Sequence, residues 1–458
     1  MADSAPPRLD QIAAGIAGYD ANALPVAQAR AFISRLVPRV QAVECLAIRS
    51  ALGRVLARDV VSAIDVPAHD NSAMDGYALR SAELVPGADT LIGVAGTGFA
   101  GANFSGAVGP GQGLRIMTGA VMPAGLDAVV PQEFTRTEPD GRVRIPAGIV
   151  QAGDNRRLRG EDLACGETAL QAGRILSPAD LGLLASLGQA EVAVVRRLRV
   201  AFFSTGDELR SVGEPLAAGN VYDSNRYTIW GMLTRLGVEV IDLGVVRDDP
   251  AALRAAFSQA AGCADAVITS GGVSVGEADH TKQVMKTLGE VLFWTIAMRP
   301  GRPMAIGRIG GDGRDGRDGH DGRDGRSDEL GGISGGGAAR SPAMLFGLPG
   351  NPVAVMVTFY ALVRDALLAM SGATPQPLPL LRAVSQAALR KKPGRTEYQR
   401  GIVSQAADGR WQVRITGAQG SGILRSMSQA NGMVVLHHGQ GDVAAGDLVD
   451  VMPFDGLV

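Results

Sequence analysis

Aromatic side chains make up only 4% of this 458-residue chain, and cysteine is limited to Cys45, Cys165 and Cys263. So few rings leave little surface on which the bases of a single-stranded nucleic acid could stack. Three widely spaced cysteines support neither a disulfide framework nor a zinc site, and they fit a reduced cytoplasm. Lysine occurs only at Lys282, Lys286, Lys391 and Lys392, so the basic complement is nearly all arginine. A formal net charge of −2 gives no basic footprint, and no nucleic-acid partner is expected. The longest apolar run, residues 353–363, is too short to span a bilayer, and the stretch through Tyr19 lacks an apolar core of signal-peptide length, so no membrane role is expected. An anionic ligand must then be held locally, by loop amides, a few arginines or a bound cation.

What is present is a large apolar share, 46%, beside 20% charged residues, the balance of a globular chain long enough for about three domains. Residues 25–36 have helical spacing, and 51–64 read as a short helix followed by strand-like Val60 and Val61. From 65 to about 159 the chain is glycine-rich with short β-like pieces, such as 91–94 and 128–131, before helical spacing returns at 175–190. The simplest arrangement is a helical first domain, 20–62 with 163–195, serving packing or dimerisation and interrupted by a β domain over 63–162. From 196 to 375 strands alternate with helices, implying a mostly parallel sheet with its ligand crevice at the strand C-termini. Residues 376–458 form a small β domain, with a turn at Asp408-Gly409. Residues 310–341 degenerate into Asp-Gly-Arg repeats. They lack the regular apolar position that a calcium-binding β-roll needs, which predicts a disordered surface loop.

The chemistry gathers where strands end. Ser270-Gly271-Gly272-Val273-Ser274-Val275-Gly276-Glu277-Ala278-Asp279 follows an apolar run and precedes an amphipathic one: strand, glycine loop, helix. Such a loop is either a capped turn or a phosphate cradle whose N–H groups face an anion. Two more strands run into Ser204-Thr205-Gly206-Asp207-Glu208 and Asp248-Asp249. Carboxylates after three successive strands are either helix caps or a convergent set that repels an anion unless a cation bridges them. Magnesium is the economical cation, because it takes one or two carboxylates together with phosphate oxygens. Phe346-Gly347-Leu348-Pro349-Gly350-Asn351-Pro352 follows a further strand, with Asn351 suited to cap and Pro352 to open the next helix. It is a rigid turn or the second wall of a phosphate cradle. The arginines of Arg156-Arg157-Leu158-Arg159 have a solvated face as their plain reading, and His69 has no second histidine at ligand spacing.

Taken together, Asp70-Asn71-Ser72-Ala73-Met74-Asp75-Gly76-Tyr77, Met117-Thr118-Gly119-Ala120, Arg159-Gly160-Glu161-Asp162, Ser204-Thr205-Gly206-Asp207-Glu208-Leu209, the loop 270–279 and the loop 347–352 resemble the molybdopterin molybdenumtransferases, the MoeA-type enzymes related to the C-terminal half of gephyrin. The likeness runs through nearly the whole chain in the family's order, the 310–341 repeat excepted. It implies a multidomain α/β chain: a helical first domain with an inserted β domain, a doubly wound domain resembling molybdopterin adenylyltransferases, and a C-terminal β-barrel. It also implies a homodimer whose site lies between the α/β domain of one subunit and the β domain of its partner, and transient contact with an adenylyltransferase. The implied reaction takes adenylylated molybdopterin and molybdate, releases AMP with Mg2+, and leaves molybdenum on the pterin dithiolene.

Residue by residue, the resemblance makes Asp75, Thr118, Asp162, Glu208, Asp248 and Asp279 catalytic, with Glu208, Asp248 and Asp279 holding magnesium. It assigns the substrate to Ser270, Gly271, Gly272, Ser274, Pro349, Gly350, Asn351 and Pro352, and molybdate to Arg299, Arg302, Arg400 and Ser421. Many bacterial relatives carry lysines at the positions of Thr295 and Arg299, so one charge is missing here and the other is an arginine. An adenylyltransferase would be built from the α/β domain alone, and a silent peptide-binding scaffold would not need Asp75, Asp162, Glu208 and Asp279. Deleting the 310–341 segment is expected to leave turnover unchanged, as measured by AMP release; a deletion variant without turnover would refute the loop assignment.

Overall fold

The computed structural model describes residues 8–273, 279–310, 341–376 and 378–454, and for Asp279 the backbone alone. The expected disordered loop at 310–341, apart from its two ends, and Ser274 of the glycine loop lie outside the described residues. The chain divides into two compact units, Glu44–Val194 and Met1–Val43 with Val195–Val458.

The second of these holds a six-stranded sheet: β1 (Arg199–Thr205), β2 (Glu239–Val246), β3 (Ala266–Ser270), β4 (Gly289–Thr295), β5 (Pro303–Ile309) and β6 (Ala343–Leu348), in the order β2-β1-β3-β6-β5-β4. The first four of that order run parallel, and β5 is antiparallel to both its neighbours, β6 and β4. The apolar run of β1 is what a strand covered on both faces requires. Val200 and Phe202 join one core cluster while Ala201 and Phe203 join another, where Phe203 meets Phe257 edge to face at 4.9 Å. Helix Val26–Leu36 lays Ala29, Phe32, Ile33 and Leu36 on the first cluster, with Phe32 at 5.1 Å from Trp294. This helix therefore packs with the α/β sheet, although its position in the sequence suggested membership of the first domain.

After β6 the chain is helical from Pro352 to Met370, with a π-helical turn at Phe359–Val363. These 19 residues are long and apolar enough to cross a bilayer, longer than the run visible in the sequence, yet 78% of the apolar window is buried inside the protein. A helix that is apolar all round belongs in a core when its neighbours cover it.

At the C-terminus β7 (Leu381–Ser385), β8 (Thr396–Gln405), β9 (Trp411–Ile415), β10 (Gly432–Leu436) and β11 (Leu448–Pro453) follow the order β8-β9-β7-β11-β10, and β10 pairs back onto β8. The closed five-stranded barrel has no free edge, and Val413, Val434, Leu436, Val449 and Val451 fill it. Gly409, at φ +83°, makes the β8–β9 turn.

The other unit contains a six-stranded sheet in the order Ala128–Pro131, Gly76–Leu79, Gln112–Ile116, Thr90–Gly98, Val143–Ile145, Arg136–Thr137. Beside it, Val60–Val61 pairs with Thr168–Leu170, and helix Pro178–Ser186 is closed by a Ser177/Asp180 capping box. The helix expected from residue 51 does not form. Gly53 turns the chain at φ +72°, and Val55 and Leu56 make β-bridges to Ile175 and Val194, so apolar residues that mimic helical spacing are buried by pairing instead.

Replacing Phe202, fully buried on β1, with alanine should destabilise the unit that holds the α/β sheet by about 3–5 kcal/mol, seen as an earlier denaturant midpoint; an unshifted midpoint would contradict this packing.

Candidate functional site

Because β1, β2, β3 and β6 are parallel, their C-terminal ends open on one edge of the sheet. At the end of β1, Ser204 and Thr205 are buried while Asp207 and Glu208 are exposed. A Cβ at Gly206 would lie 2.7 Å from the Glu208 carboxylate, so glycine leaves room for that acid to fold back over the strand end. Beyond β2, Asp248 accepts a hydrogen bond from the Thr205 hydroxyl and donates its own N–H to Asp207 at 3.3 Å. Its neighbour Asp249 accepts the Ala252 N–H at 2.9 Å and caps helix Pro250–Cys263. Of two adjacent acids, one closes a helix and the other joins Asp207 at the sheet edge.

The loops after β3 and β6 lie side by side. A Cβ on Gly350 would stand 3.9 Å from Gly271 Cα. Gly271, at φ +98°, has no room for a side chain because a Cβ would come within 2.5 Å of the Thr205 carbonyl oxygen. Its N–H donates to the Leu348 carbonyl at 3.1 Å and is not available to an anion, which corrects its expected role as a phosphate donor. Helix Asp279–Leu288 begins at the expected aspartate. Pro352 opens its helix as expected, but Asn351 takes the cap position without a side-chain cap bond; the helix N-terminus is met instead by the Ser421 carbonyl, which accepts from Val353 at 3.1 Å.

That contact brings the barrel's 417–422 segment up to the β6 loop. Next to it lies a cavity of about 100 Å³ lined by Arg299, Arg390, Glu397, Gln399, Arg400 and Gln419, among others. Arg400 is 1% exposed. Its guanidinium donates to Ser426 Oγ at 3.0 Å and to the Gly420 and Ala418 carbonyls at 2.9 and 3.5 Å, all neutral acceptors. Burial pushes its pKa down to about 10, which still leaves it charged at neutral pH. Glu397, which also lines the cavity, is engaged by Arg395 at 2.7 Å. A buried guanidinium whose partners among the described residues are all neutral keeps its charge uncancelled. Arg302 is exposed and does not line this cavity.

In the other unit Asp75 Oδ1 accepts both the hydroxyl and the N–H of Thr118, each at 2.7 Å. Those donors, the hydroxyl first, hold the Asp75 carboxyl below its ordinary range. Arg156, half-buried, pairs with Asp70, and Arg159 pairs with Asp65 while remaining exposed, so the run is a solvated face that also clasps two acids. Asp65 also accepts the Cys165 N–H, at 2.8 Å, and the Asp162 N–H reaches the Val66 carbonyl at 3.0 Å. The two polar segments are thus stitched together, and Asp162 stands exposed between them.

Among the described residues no three metal-binding side chains form a ready-made metal site, and the Asp279 side chain lies outside them. Glu208 and Asp248 suit magnesium, which takes one or two carboxylates and fills its remaining positions with phosphate oxygens and water.

The sequence matches three family descriptions in order: the MoeA N-terminal region (domain I and II) over residues 24–188, a probable molybdopterin binding domain over 201–369, and the MoeA C-terminal region (domain IV) over 382–454. It is 39% identical over 436 residues to the molybdopterin molybdenumtransferase of Haemophilus influenzae, covering 95% of this chain and all of the relative. The chain belongs to the molybdopterin molybdenumtransferase family. It is a transferase of molybdenum cofactor biosynthesis. The molybdopterin molybdenumtransferase of a Nostoc species is 35% identical, over 92% of this chain and 91% of its own. The crystal structure of a molybdopterin biosynthesis MoeA protein from Pyrococcus horikoshii superposes with a TM-score of 0.75 at 25% identity, over 94% of this chain and 99% of that one.

For a molybdenumtransferase the internal geometry sorts the expected residues. One unit assembles Glu208, Asp248, Ser270, Gly271, Gly272 and the β6 loop at one edge, with Arg299 and Arg400 lining the neighbouring cavity and the Ser421 carbonyl meeting the helix that follows the β6 loop. The other unit joins Asp75 to Thr118. Sequence reasoning passed over Arg390 and Gln419, which line the cavity, and Asn225, which reaches into the edge from a helix. A polar residue in a helix's first turn looks like ordinary capping, so no local signal set Asn225 apart.

Replacing Thr118 with valine removes one of the two donors to Asp75 and should raise the Asp75 pKa toward the usual carboxylate value of about 3.9, measurable by NMR titration of the side-chain carboxyl. An unmoved titration would show that the hydroxyl contributes nothing.

Proposed function

We propose that this molybdenumtransferase works as a cytoplasmic homodimer that takes adenylylated molybdopterin and molybdate, splits the phosphoanhydride to release AMP, and leaves molybdenum on the dithiolene. The observation that carries the reading is Arg400, a fully buried guanidinium with no carboxylate partner among the described residues, in a cavity beside Arg299. Two guanidinium forks can share the oxygens of one tetrahedral oxyanion. The Gly420 carbonyl accepts from Arg400 and that of the adjacent Ser421 accepts from Val353 after the β6 loop, so an oxyanion held by the arginines and a phosphate held at the sheet edge would be neighbours.

Glu208, Asp248 and Asp279 would hold magnesium, which when bound offsets the charge of the pyrophosphate as its bridging bond breaks. Gly272, whose N–H has no partner among the described residues, and Ser274 would present amides to the phosphate oxygens. Asp248 is kept in place by Thr205. In a homodimer the partner's β domain would bring Asp75, Thr118 and Asp162 to the same cleft. A free adenylyltransferase that delivers the substrate would be a transient partner.

The direct test supplies adenylylated molybdopterin, molybdate and magnesium, and follows AMP. Release should be molybdate-dependent, while ATP with free molybdopterin should give no adenylylated product. Arg400→Met should lower kcat/KM for molybdate at least about tenfold, which corresponds to the 1.4 kcal/mol of one decade, and Asp279→Asn should abolish AMP release with the dimer intact. Formation of adenylylated product from ATP, or full turnover by both variants, would overturn the reading.

A further inference from the structure

The two loops at the sheet edge leave neighbouring strands at the same level, since Ser270 on β3 is paired with Leu348 on β6. One hydrogen bond, Gly271 N–H to Leu348 carbonyl, holds them at the root. A third element ties them again. Asn225, the second residue of helix Ser224–Arg235, donates from Nδ2 to the Gly350 carbonyl at 2.7 Å and reaches Ser270 Oγ at 3.5 Å. Ser270 in turn donates to Ser204 Oγ on β1 at 3.1 Å. One amide therefore ties the β6 loop to the start of the glycine loop and, through a serine pair, to β1, whose following loop carries Glu208.

The parts of this clasp are buried: Ser204, Ser270 and Asn225 are 0%, 1% and 8% exposed. The orientation of the amide is dictated, because a carbonyl oxygen accepts only and so Nδ2 must face Gly350. Asn225 is itself held from below: Asp223, 1% exposed, accepts the Arg226 N–H at 3.1 Å and donates its own N–H to the Arg210 carbonyl at 3.0 Å. Asn225 Oδ1 is buried with no partner among the described residues. A polar atom left unpaired in a buried position is uncommon, and it is retained here by a side chain whose donor end makes both loop contacts.

We propose that Asn225 is a positioning residue for the substrate's pyrophosphate: it fixes the gap between the glycine loop and the Gly350 loop, and so the spacing of the groups that grip the phosphates. It touches no reacting atom and acts through Gly350 and Ser270. The inference rests on the proposed function, because the pyrophosphate is the ligand that the two loops would hold.

Two variants separate positioning from support. Asn225→Ala removes the clasp. Asn225→Asp keeps the shape but sets a carboxylate oxygen against the Gly350 carbonyl and adds negative charge beside the phosphates. The full-length protein is to be assayed for AMP binding by calorimetry and for AMP release with adenylylated molybdopterin. Asn225→Ala should raise KM for the adenylylated substrate and weaken AMP binding about tenfold, with kcat within about threefold, the pattern of lost ground-state binding. Asn225→Asp should weaken both by about a hundredfold. Ser270→Ala combined with Asn225→Ala should cost less than the two separate losses multiplied, because both act on one network.

A lowered melting temperature with unchanged KM and AMP affinity would make Asn225 merely supportive and overturn the proposal. If the wild-type protein neither binds AMP nor releases it, the proposed function fails by itself. The clasp is then judged by hydrogen exchange at the Gly350 to Val353 amides, which should quicken in Asn225→Ala; unchanged exchange would overturn the inference independently.

Discussion

The parallel pairing of β2, β1, β3 and β6 is the constraint from which the site follows. Four strands of one direction deliver four C-terminal loops to a single edge, and the register decides which residues of those loops meet. Ser204 on β1, Ser270 on β3 and Leu348 on β6 stand at one level, so the residues that follow each emerge together. An antiparallel neighbour would send its loop to the opposite edge, as β5 does beside β6. The continuous burial of Val200 to Phe203 on both faces of β1 fixes this register, because a slip of one residue would exchange the sets that face the two core clusters.

Anion recognition in this protein is local. The chain as a whole is slightly acidic, and the sheet edge carries three exposed or half-buried acids, Asp207, Glu208 and Asp248. Attraction must come from elements that do not depend on the summed field: a buried guanidinium, loop amides and a shared cation. Arg400 meets this need because neutral carbonyls and a hydroxyl fix its orientation without cancelling its charge. In an interior of low dielectric that uncancelled charge acts strongly on whatever enters the cavity.

How far the sequence foretold this depended on whether the signal was local. The apolar run of β1, the alternation of strand and helix through the α/β domain and the Asp408-Gly409 turn state their own geometry, and the fold class was legible from them. The catalytic and molybdate assignments came from resemblance, since nothing in spacing alone distinguishes Arg400 from the many other arginines. Failures came where tertiary pairing overruled a local pattern. Val55 and Leu56 fall where a helix was expected but make β-bridges to Ile175 and Val194, and helix Val26–Leu36 packs on the core of the α/β sheet. The amide of Gly271 looked like a free donor until β6 was seen to claim it, and Asn225 required knowledge of which loops its helix would meet.

The departures at Thr295 and Arg299 take on a different meaning beside the cavity. Thr295 ends β4 with its N–H donated to the Ala21 carbonyl and its carbonyl accepting from Leu24, so the backbone there is committed to holding the N-terminal segment whatever the side chain. The charge missing at that position does not leave the cavity poor in cations, because Arg299, Arg390 and Arg400 line it and the one carboxylate present, Glu397, is already engaged by Arg395. Guanidinium is less strongly hydrated than ammonium and offers two donors in a plane, which makes its burial less costly and its grip on an oxyanion more directional. A chain that has nearly dispensed with lysine can therefore keep a cationic cavity by lining it with arginines, the buried one of which, Arg400, is oriented by backbone carbonyls and a hydroxyl and not by acids that would neutralise it.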